Sequence, residues 1–279
     1  MDRFFDGMRW SEAEASAGRH DWRELWAFRD LVYAFVVRDL QVRYRQTLVG
    51  VAWVVAQPLI NTLLYSGLLN LLGARTSSEN VSNFMLLLSG TIVWQPFAQG
   101  VQQTTLCLAN NRSLITKTYF PRLLLPIAAV MTPLIDFAIG LCLLLIFSLW
   151  FGVPWSVWWL ATPLLALLVT ASSMAVGVWT SMLNALYRDM MSLVPFALQV
   201  GLVATPVIWD TNVIIPEEWR PVAAINPMVT TIGLFRAAWF DQPPPSLAMI
   251  GISALSTAVV LGGGLWFFAR NEDVVADSV

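Results

Sequence analysis

Long apolar runs without a charged residue alternate with short charged segments along this chain. The uncharged runs cover residues 46–74, 80–111, 137–187, 190–209 and 242–269. A membrane-spanning helix needs about 20 apolar residues, and the turn residues Gly152-Val153-Pro154-Trp155 divide the longest run. The pattern predicts an all-α polytopic membrane protein with six transmembrane helices, at about residues 49–72, 82–108, 123–150, 157–183, 190–209 and 246–269.

The segment before the first predicted span has a different pattern. Apolar residues recur at helical spacing and charged residues stand between them, which predicts an amphipathic helix over residues 22–47. It is too charged to cross a bilayer and suits the membrane surface, where its tryptophans fit the headgroup level. We therefore divide the chain into a cytosolic tail (1–21), this helix, a single six-span domain (48–270) and a second cytosolic tail (271–279).

Residues 210–245 interrupt the alternation. Charged residues bracket an uncharged stretch, Pro221–Phe235, which is too short to span a bilayer and is broken by Pro227 and Gly233. This predicts a re-entrant or interfacial hairpin before the last span, in a place where protein or water satisfies the backbone. In the last span, Ala254, Ala258 and Gly262 stand four apart, and we expect this small-residue face to pack against another helix.

Composition and charge sharpen the membrane assignment. The chain is 57% hydrophobic and 12% charged, with a mean hydropathy of +0.64, whereas an ordinary soluble domain carries about 25% charged residues. If the N-terminus lies inside, 13 of the 16 lysines and arginines lie on the cytoplasmic side, and the outer loops hold Arg75, Arg220 and Arg236. Positive residues favour the cytoplasm. Both termini are therefore expected in the cytoplasm, together with the basic loop at residues 110–126.

Catalytic and nucleotide-binding signatures are missing from the sequence. The single histidine, His20, has no cysteine or carboxylate cluster beside it that would make a metal site. The single lysine, Lys117, follows Thr116 rather than a glycine-rich turn, so the chain has no phosphate-binding loop. We expect no cofactor, metal or nucleic-acid partner for this chain. If ATP drives it, the ATPase is another protein.

Two polar stripes run along the first two predicted spans. Gln57, Asn61 and Tyr65 share one helix face, and a second face carries Thr91, Gln95, Gln99 and Gln102. Amides facing lipid would be costly, so these stripes face protein or a hydrated path. A path for a sugar chain, which we extend to Trp94 and Asp136, and simple interhelical hydrogen bonding both remain open. Asp136 is either a buried hydrogen-bond anchor or part of the path.

Several motifs resemble those of type-2 ABC exporter permeases, in particular the polysaccharide exporters of the O-antigen, teichoic-acid and capsule type. The similar segments are residues 24–26, 29–31, 38–50, Trp53, 57–59, the loop 111–122, Tyr187-Arg188-Asp189 and Asn226-Pro227. The likeness extends over about residues 22–269. One departure is Val49, where the family often has leucine.

The resemblance implies a homodimer with two copies of a separate ATPase subunit, which binds the ATP and Mg. It also implies a lipid-linked polysaccharide cargo and a location in the bacterial inner membrane. Residues 22–47 would be the family's interface helix and the basic loop its coupling helix. The implied ATPase-coupling residues are Arg29, Arg38, Asp39, Asn111, Arg112, Ser113, Leu114, Lys117, Tyr119, Phe120 and Arg122. The implied outer-gate residues are Glu217, Glu218, Trp219 and Asn226.

Two other functions remain open at this stage. One is an ABC exporter of a different lipid or of a drug. The other is a membrane enzyme acting on polyprenyl-linked sugars, for which Glu217, Glu218 and Arg220 form the only acidic and basic cluster near a predicted loop. The sequence does not separate O-antigen from capsule or teichoic-acid cargo.

Overall fold

A computed structural model describes residues 26, 28–45, 51–71, 82–118 and 120–278. These residues form helices joined by turns and short irregular segments, and no strand occurs among them. The α-helices are α1 (Arg29–Arg45), α2 (Val51–Leu71), α3 (Asn83–Asn110), α4 (Arg112–Lys117), α5 (Leu124–Met131), α6 (Pro133–Trp150), α7 (Thr162–Leu186), α8 (Met190–Ala204), α9 (Thr211–Ile214), α10 (Arg220–Ala223), α11 (Pro227–Phe240) and α12 (Leu247–Ser278). Short 3-10 helices precede α7 and α10, at Val157–Ala161 and Glu217–Trp219.

Five segments of the described chain are long and apolar enough to cross a membrane. They are Ala52–Leu71, Asn83–Asn110, Leu124–Trp150, Val157–Leu186 and Leu247–Asn271. The sequence therefore folds into an all-helical, multi-pass membrane protein. The predicted fifth span, residues 190–209, is represented by α8, which is apolar but only 15 residues long. It ends at Ala204 because Thr205 is extended and Pro206 has no N–H to continue the helix.

The third spanning segment is built from two helices. α5 ends at Met131 and α6 begins at Pro133, so the segment predicted as one helix over residues 123–150 is divided at Thr132. Proline at the first helical position is favourable because its missing N–H would have no partner there. The division places Asp136 in the first turn of α6.

α3 forms the centre of the bundle. In an apolar 18-residue stretch of α3, 78% of the residues are buried, compared with 17% in the corresponding stretches of α2 and of α12. Small residues let α7 approach it closely: a Cβ on Gly177 would lie 2.8 Å from the Thr104 side chain, and the Thr105 hydroxyl donates to Thr180 at 2.8 Å. Close approach through small residues is how membrane helices gain packing contacts.

The small-residue face predicted for α12 does not pack against another helix of this chain. Ala254 and Ala258 are exposed, and a Cβ added to Gly262 would meet nothing within 4 Å. The helix instead approaches α7 through Gly264, where an added Cβ would lie 2.9 Å from the ring of Trp179. The small residues of α12 do make a close helix contact within the chain, but through a different face from the one that the spacing predicted.

The buried side chains form two large clusters, one along most of α3 and one at the end of α3 next to α4. At one end, an apolar group that we call the inner cluster joins α1, the end of α3, α5, the end of α7 and the end of α12. Its central members are Phe35, Leu108, Phe120, Leu124, Met182 and Phe268. At the other end, Trp159 stacks on Trp239 with ring centroids 4.4 Å apart. Phe84, at the start of α3, lies at this same end and contacts Phe147 and Phe151.

Candidate functional site

A short basic helix, α4, follows α3 at the inner end of the bundle. It begins directly after Asn111, whose side-chain amide donates to the Cys107 carbonyl oxygen at 2.7 Å and so fixes the end of α3. Leu114 and Ile115 are half-buried and pack against the inner cluster. The outer face of the helix carries the exposed residues Arg112, Ser113, Thr116 and Lys117. α4 therefore presents two cations to the surroundings while its apolar side is held by the bundle.

An aromatic contact connects the segment after α4 to α1. Phe120 and Phe35 are both 5% exposed, and their rings meet edge to face with centroids 5.8 Å apart. Such aromatic pairs contribute about 0.5–1.5 kcal/mol beyond the area they bury. Arg122, two residues further along, is half-buried, and Tyr119 lies outside the described residues. The two predicted coupling segments thus share one buried cluster.

α1 also carries charged residues, some of them next to the aromatic contact. Arg29 is exposed, and its Nε lies 3.8 Å from Oδ1 of the neighbouring Asp30. Arg38 donates from Nε and Nη2 to one carboxylate oxygen of Asp39, at 2.9 and 2.8 Å, and its guanidinium lies 5.0 Å from the centre of the Phe35 ring. The charges of Arg38 and Asp39 therefore offset each other at the surface, directly above the aromatic contact.

The stripe on α2 borders the packed face of that helix. Gln57, Asn61 and Tyr65 are half-buried, and their side chains make no hydrogen bond in the described parts of the chain. The neighbouring positions Leu63 and Leu64 are exposed. Side chains with spare hydrogen-bonding capacity thus lie at the edge between the bundle and its surroundings.

The stripe on α3 divides into different environments. Thr91 is buried and donates to the Leu87 carbonyl oxygen of its own helix at 2.9 Å, and Trp94 is buried against Phe97. Gln95 is half-buried, and its Nε2 is buried with no hydrogen-bond partner in the described part of the chain. The last two positions differ further: Gln99 is hydrogen-bonded to α1, and Gln102 is exposed.

Arg43 of α1 joins two residues that the sequence assigned to the predicted path. Its Nη1 lies 2.7 Å from Oδ2 of Asp136, and its Nη2 donates to Oε1 of Gln99 at 2.8 Å. The Asp136 side chain is 4% exposed and that of Arg43 31% exposed. Asp136 is therefore a buried ion-pair partner of Arg43, and its place in the substrate path stays a prediction. Arg43 is not among the predicted site residues, although it stands four residues after Asp39 and eight after Phe35, on the same face of α1.

The predicted outer-gate residues lie on the segment between α8 and α11. Glu217, Glu218 and Trp219 are exposed, and Glu217 lies 3.6 Å from Arg220. Asn226 is the N-cap of α11: its side-chain oxygen accepts from the Met228 N–H at 3.0 Å, and its amide donates to the Thr205 hydroxyl at 2.9 Å.

The other end of α11 is held by Arg236. This arginine was assigned to an outer loop by the charge count, but it is 3% exposed within α11. Its guanidinium donates to the carbonyl oxygens of Leu86, Val207 and Trp209 at 3.1–3.2 Å. Burial lowers the pKa of Arg236 to about 10, an effect that the charge of Asp210 opposes. The side chain is therefore still a cation at neutral pH.

Comparison with known proteins identifies the family. The profile of the ABC-2 type transporter family matches residues 30–240, from α1 to the end of α11. The chain belongs to the ABC-2 type transporter family. This confirms the relationship that the sequence motifs indicated. In this family the ATPase is a separate subunit, so the chain is a permease subunit and not a catalytic enzyme.

Similar proteins include three permeases. The O-antigen export system permease protein RfbA of Myxococcus xanthus is 28% identical over 255 residues, which cover 90% of this chain and 96% of that protein. Two proteins of the same name from Klebsiella pneumoniae are 28% and 27% identical, over 73% and 76% of this chain and 77% and 81% of their own lengths. The likeness to the ABC-2 permeases thus extends beyond the segment that defines the family.

Nothing in the described part of this ABC-2 permease offers a ligand set for a metal ion. No group of three histidine, cysteine or acidic side chains lies close together among those residues. The cluster considered for an enzyme, Glu217, Glu218 and Arg220, contains an exposed ion pair rather than a buried acid or base. A role as a membrane enzyme therefore finds no support either in the family or in this site.

Proposed function

We propose that this permease moves a lipid-linked O-antigen polysaccharide from the cytoplasm to the periplasm, driven by ATP hydrolysis in a partner subunit. The observation that carries the proposal is the similarity of 90% of the chain to a protein named as an O-antigen export permease. ATP and Mg are bound by the partner, because this chain has no phosphate-binding loop. The chain itself provides the route and the surface on which the ATPase acts.

The proposed assembly is a homodimer with two copies of the ATPase, located in the bacterial inner membrane. Each permease subunit has six spans, with α8 as the short fifth one, and α9 to α11 form an outer gate hairpin before the sixth. Both termini lie in the cytoplasm. The distribution of lysine and arginine supports this orientation, because it places the exposed cations of α4 on the side where an ATPase is found.

The proposed coupling site is the exposed face of α4 together with α1. Arg112 and Lys117 project from a helix whose other side is fixed in the inner cluster. A force applied by the ATPase to these side chains therefore acts on packed helices rather than on a free loop. The Phe35–Phe120 contact passes the displacement to α1. Closely packed side chains transmit such shifts because they leave little space to absorb them.

The proposed substrate path uses amide side chains that have no hydrogen-bond partner among the residues that the structure describes. Gln57, Asn61 and Gln95 retain hydrogen-bonding capacity, and Tyr65 adds a ring and a hydroxyl. Sugar hydroxyls are donors and acceptors that fit neutral amides, whereas lipid tails offer no such partner. The exposed Gln102 extends the polar surface toward the inner end of α3.

The proposed outer gate is the segment from α9 to α11. Its mobile part would be residues 211–225, where Glu217, Glu218 and Trp219 are exposed. Its fixed part is α11, which Asn226 and Arg236 attach at both ends to the segment after α8. Opening would then change residues 211–225 without separating α11 from the bundle.

Co-purification with a candidate ATPase tests the proposed function. The permease carries an affinity tag and is expressed with the ATPase, and ATP hydrolysis is then measured with and without lipid-linked O-antigen. We expect a stable complex whose hydrolysis rate rises at least threefold with the substrate. A lipid-linked drug-like amphiphile without sugars serves as the comparison. Equal stimulation by both compounds would favour an exporter of other lipids, and the absence of a complex would contradict the proposal.

A further inference from the structure

Arg43 forms a polar connection between α1 and the spanning helices through its contacts with Asp136 and Gln99. The ion pair ties α1 to the first turn of α6, and the hydrogen bond ties it to α3. Asp136 is almost fully buried, so protein groups rather than water stabilise its charge, and Arg43 is one of them. The guanidinium of Arg43 meets a carboxylate and an amide at the same time and is therefore held by two helices.

α1 is held to the bundle at two separate places. Phe35 belongs to the inner cluster beside α4, whereas Arg43 lies two turns further along the helix. Between α1 and the bundle is a cavity of about 540 Å³. The cavity is lined from α1 by Phe35, Arg38, Asp39, Val42 and Arg43, and from α3 by Gln103, Leu106, Cys107 and Asn110. Side-chain packing alone therefore does not join this part of α1 to α3.

This arrangement gives the ion pair a role beside the apolar contacts, which join α1 to α5 through the inner cluster. The open cavity separates the part of α1 after Phe35 from the facing part of α3. The Arg43 contacts bridge that gap, and a buried ion pair resists separation because each charge would be left without a partner in a medium of low dielectric constant.

We propose that the Arg43–Asp136 ion pair, with Gln99, is the mechanical link through which movement of α1 reaches α3 and α6 during export. This inference rests on the proposed function and deepens it. It makes Arg43 and Asp136 positioning residues for transport, and it removes Gln99 and Asp136 from the substrate path. The link acts without touching the polysaccharide.

Neutral substitution at one side of the link is the first test. Arg43→Gln is produced with the ATPase, and complex formation, ATP hydrolysis and polysaccharide export are measured on the same preparation. We expect the complex to form and to hydrolyse ATP at more than half the wild-type rate, while export per ATP falls at least tenfold. Gln41→Ala is the control, since Gln41 is an exposed residue of the same helix. Export by Arg43→Gln within twofold of the wild type would overturn the proposal.

A covalent replacement of the link tests it independently of folding. Arg43→Cys and Asp136→Cys are combined in a background with Cys107→Ala and Cys142→Ala. This pair removes both charges together, so neither member of the ion pair is left without the other. We expect low export before treatment and at least a fivefold increase after a short bifunctional thiol reagent joins the two cysteines. An unchanged export rate after cross-linking would overturn the proposal. This test decides the question even if Arg43→Gln does not fold.

The wild-type chain measured beside these variants separates the two claims. Absence of ATP-dependent export by the wild type with its ATPase would overturn the proposed function itself. Equal export by the wild type and Arg43→Gln would leave the proposed function intact and remove only the link.

Discussion

Phe35 in α1 and Phe120 in the segment after α4 meet edge to face, with ring centroids 5.8 Å apart. They are 85 residues apart in sequence, and both are almost fully buried. Through this contact, the two charged segments that a soluble partner would reach become parts of one packed cluster. The contact explains why two segments that are separate in sequence are proposed to act together on the spanning helices.

Removal of the Phe120 ring should destabilise the inner end of the bundle. Phe120→Ala leaves a cavity next to Phe35 and Leu124, and large-to-small changes of this kind cost about 3–5 kcal/mol. We expect a lower unfolding temperature in detergent, measured by tryptophan fluorescence. The matched control is Phe196→Ala, because Phe196 is 67% exposed on α8. An equal decrease for both variants would show that Phe120 has no special packing role.

Charge reversal on α4 should separate insertion from export. Arg112→Glu combined with Lys117→Glu changes exposed side chains, so the chain should insert and accumulate as in the wild type. Surface O-antigen should fall at least tenfold, because the face proposed to meet the ATPase would carry the opposite charge. The measurement is O-antigen on intact cells, detected with a specific antibody.

The control for that experiment reverses two other exposed arginines on the same predicted side of the membrane, Arg188→Glu with Arg270→Glu. It should retain surface O-antigen. Normal O-antigen in the Arg112→Glu, Lys117→Glu cells would contradict a coupling role for α4.

Gly90 should not tolerate a side chain. A Cβ there would lie 2.5 Å from the Val207 carbonyl oxygen and 3.0 Å from Nη2 of Arg236, so α3 and the segment after α8 would have to move apart. Overpacking of this kind costs about 1–3 kcal/mol. Gly67→Ala is the control, since a Cβ at Gly67 meets nothing within 4 Å. We expect the unfolding temperature to fall only for Gly90→Ala, and equal values would show that the close approach is unnecessary.

Bulky residues in the proposed path should slow export without breaking the assembly. Gln57→Trp and Asn61→Trp add volume at two half-buried positions. The native side chains there have no hydrogen-bond partner among the residues that the structure describes. Export should fall at least fivefold, while light scattering still reports the mass of the assembled complex. Leu64→Trp, at an exposed position on the same helix, should export normally. Loss of the complex by the first two variants would instead mark these residues as packing contacts.

The sequence predicted the features that depend on local pattern. Runs of about 20 apolar residues were sufficient for the all-helical, membrane-spanning fold, and charge together with the resemblance singled out the α4 segment. Features that depend on pairs of distant residues were not accessible. Arg43 and Asp136 are 93 positions apart, and a single carboxylate in a spanning segment does not indicate which cation it will pair with.

The assignment of Arg236 to an outer loop was wrong for a related reason. A count of charges cannot distinguish an arginine in solvent from one that donates to three buried carbonyl oxygens. The predicted small-residue face of α12 is not the face that meets α7, because several small residues stand near each other in that helix and only the position of Trp179 decides which of them face α7.

ATP-dependent uptake of lipid-linked O-antigen by inverted inner-membrane vesicles tests the central claim most directly. The vesicles contain this permease and its ATPase, and the polysaccharide that becomes protected from an added glycosidase is measured. We predict protection that requires both proteins and ATP, and that disappears when the phosphate-binding lysine of the ATPase is replaced by alanine. Equal protection without ATP, or with the inactive ATPase, would contradict the account.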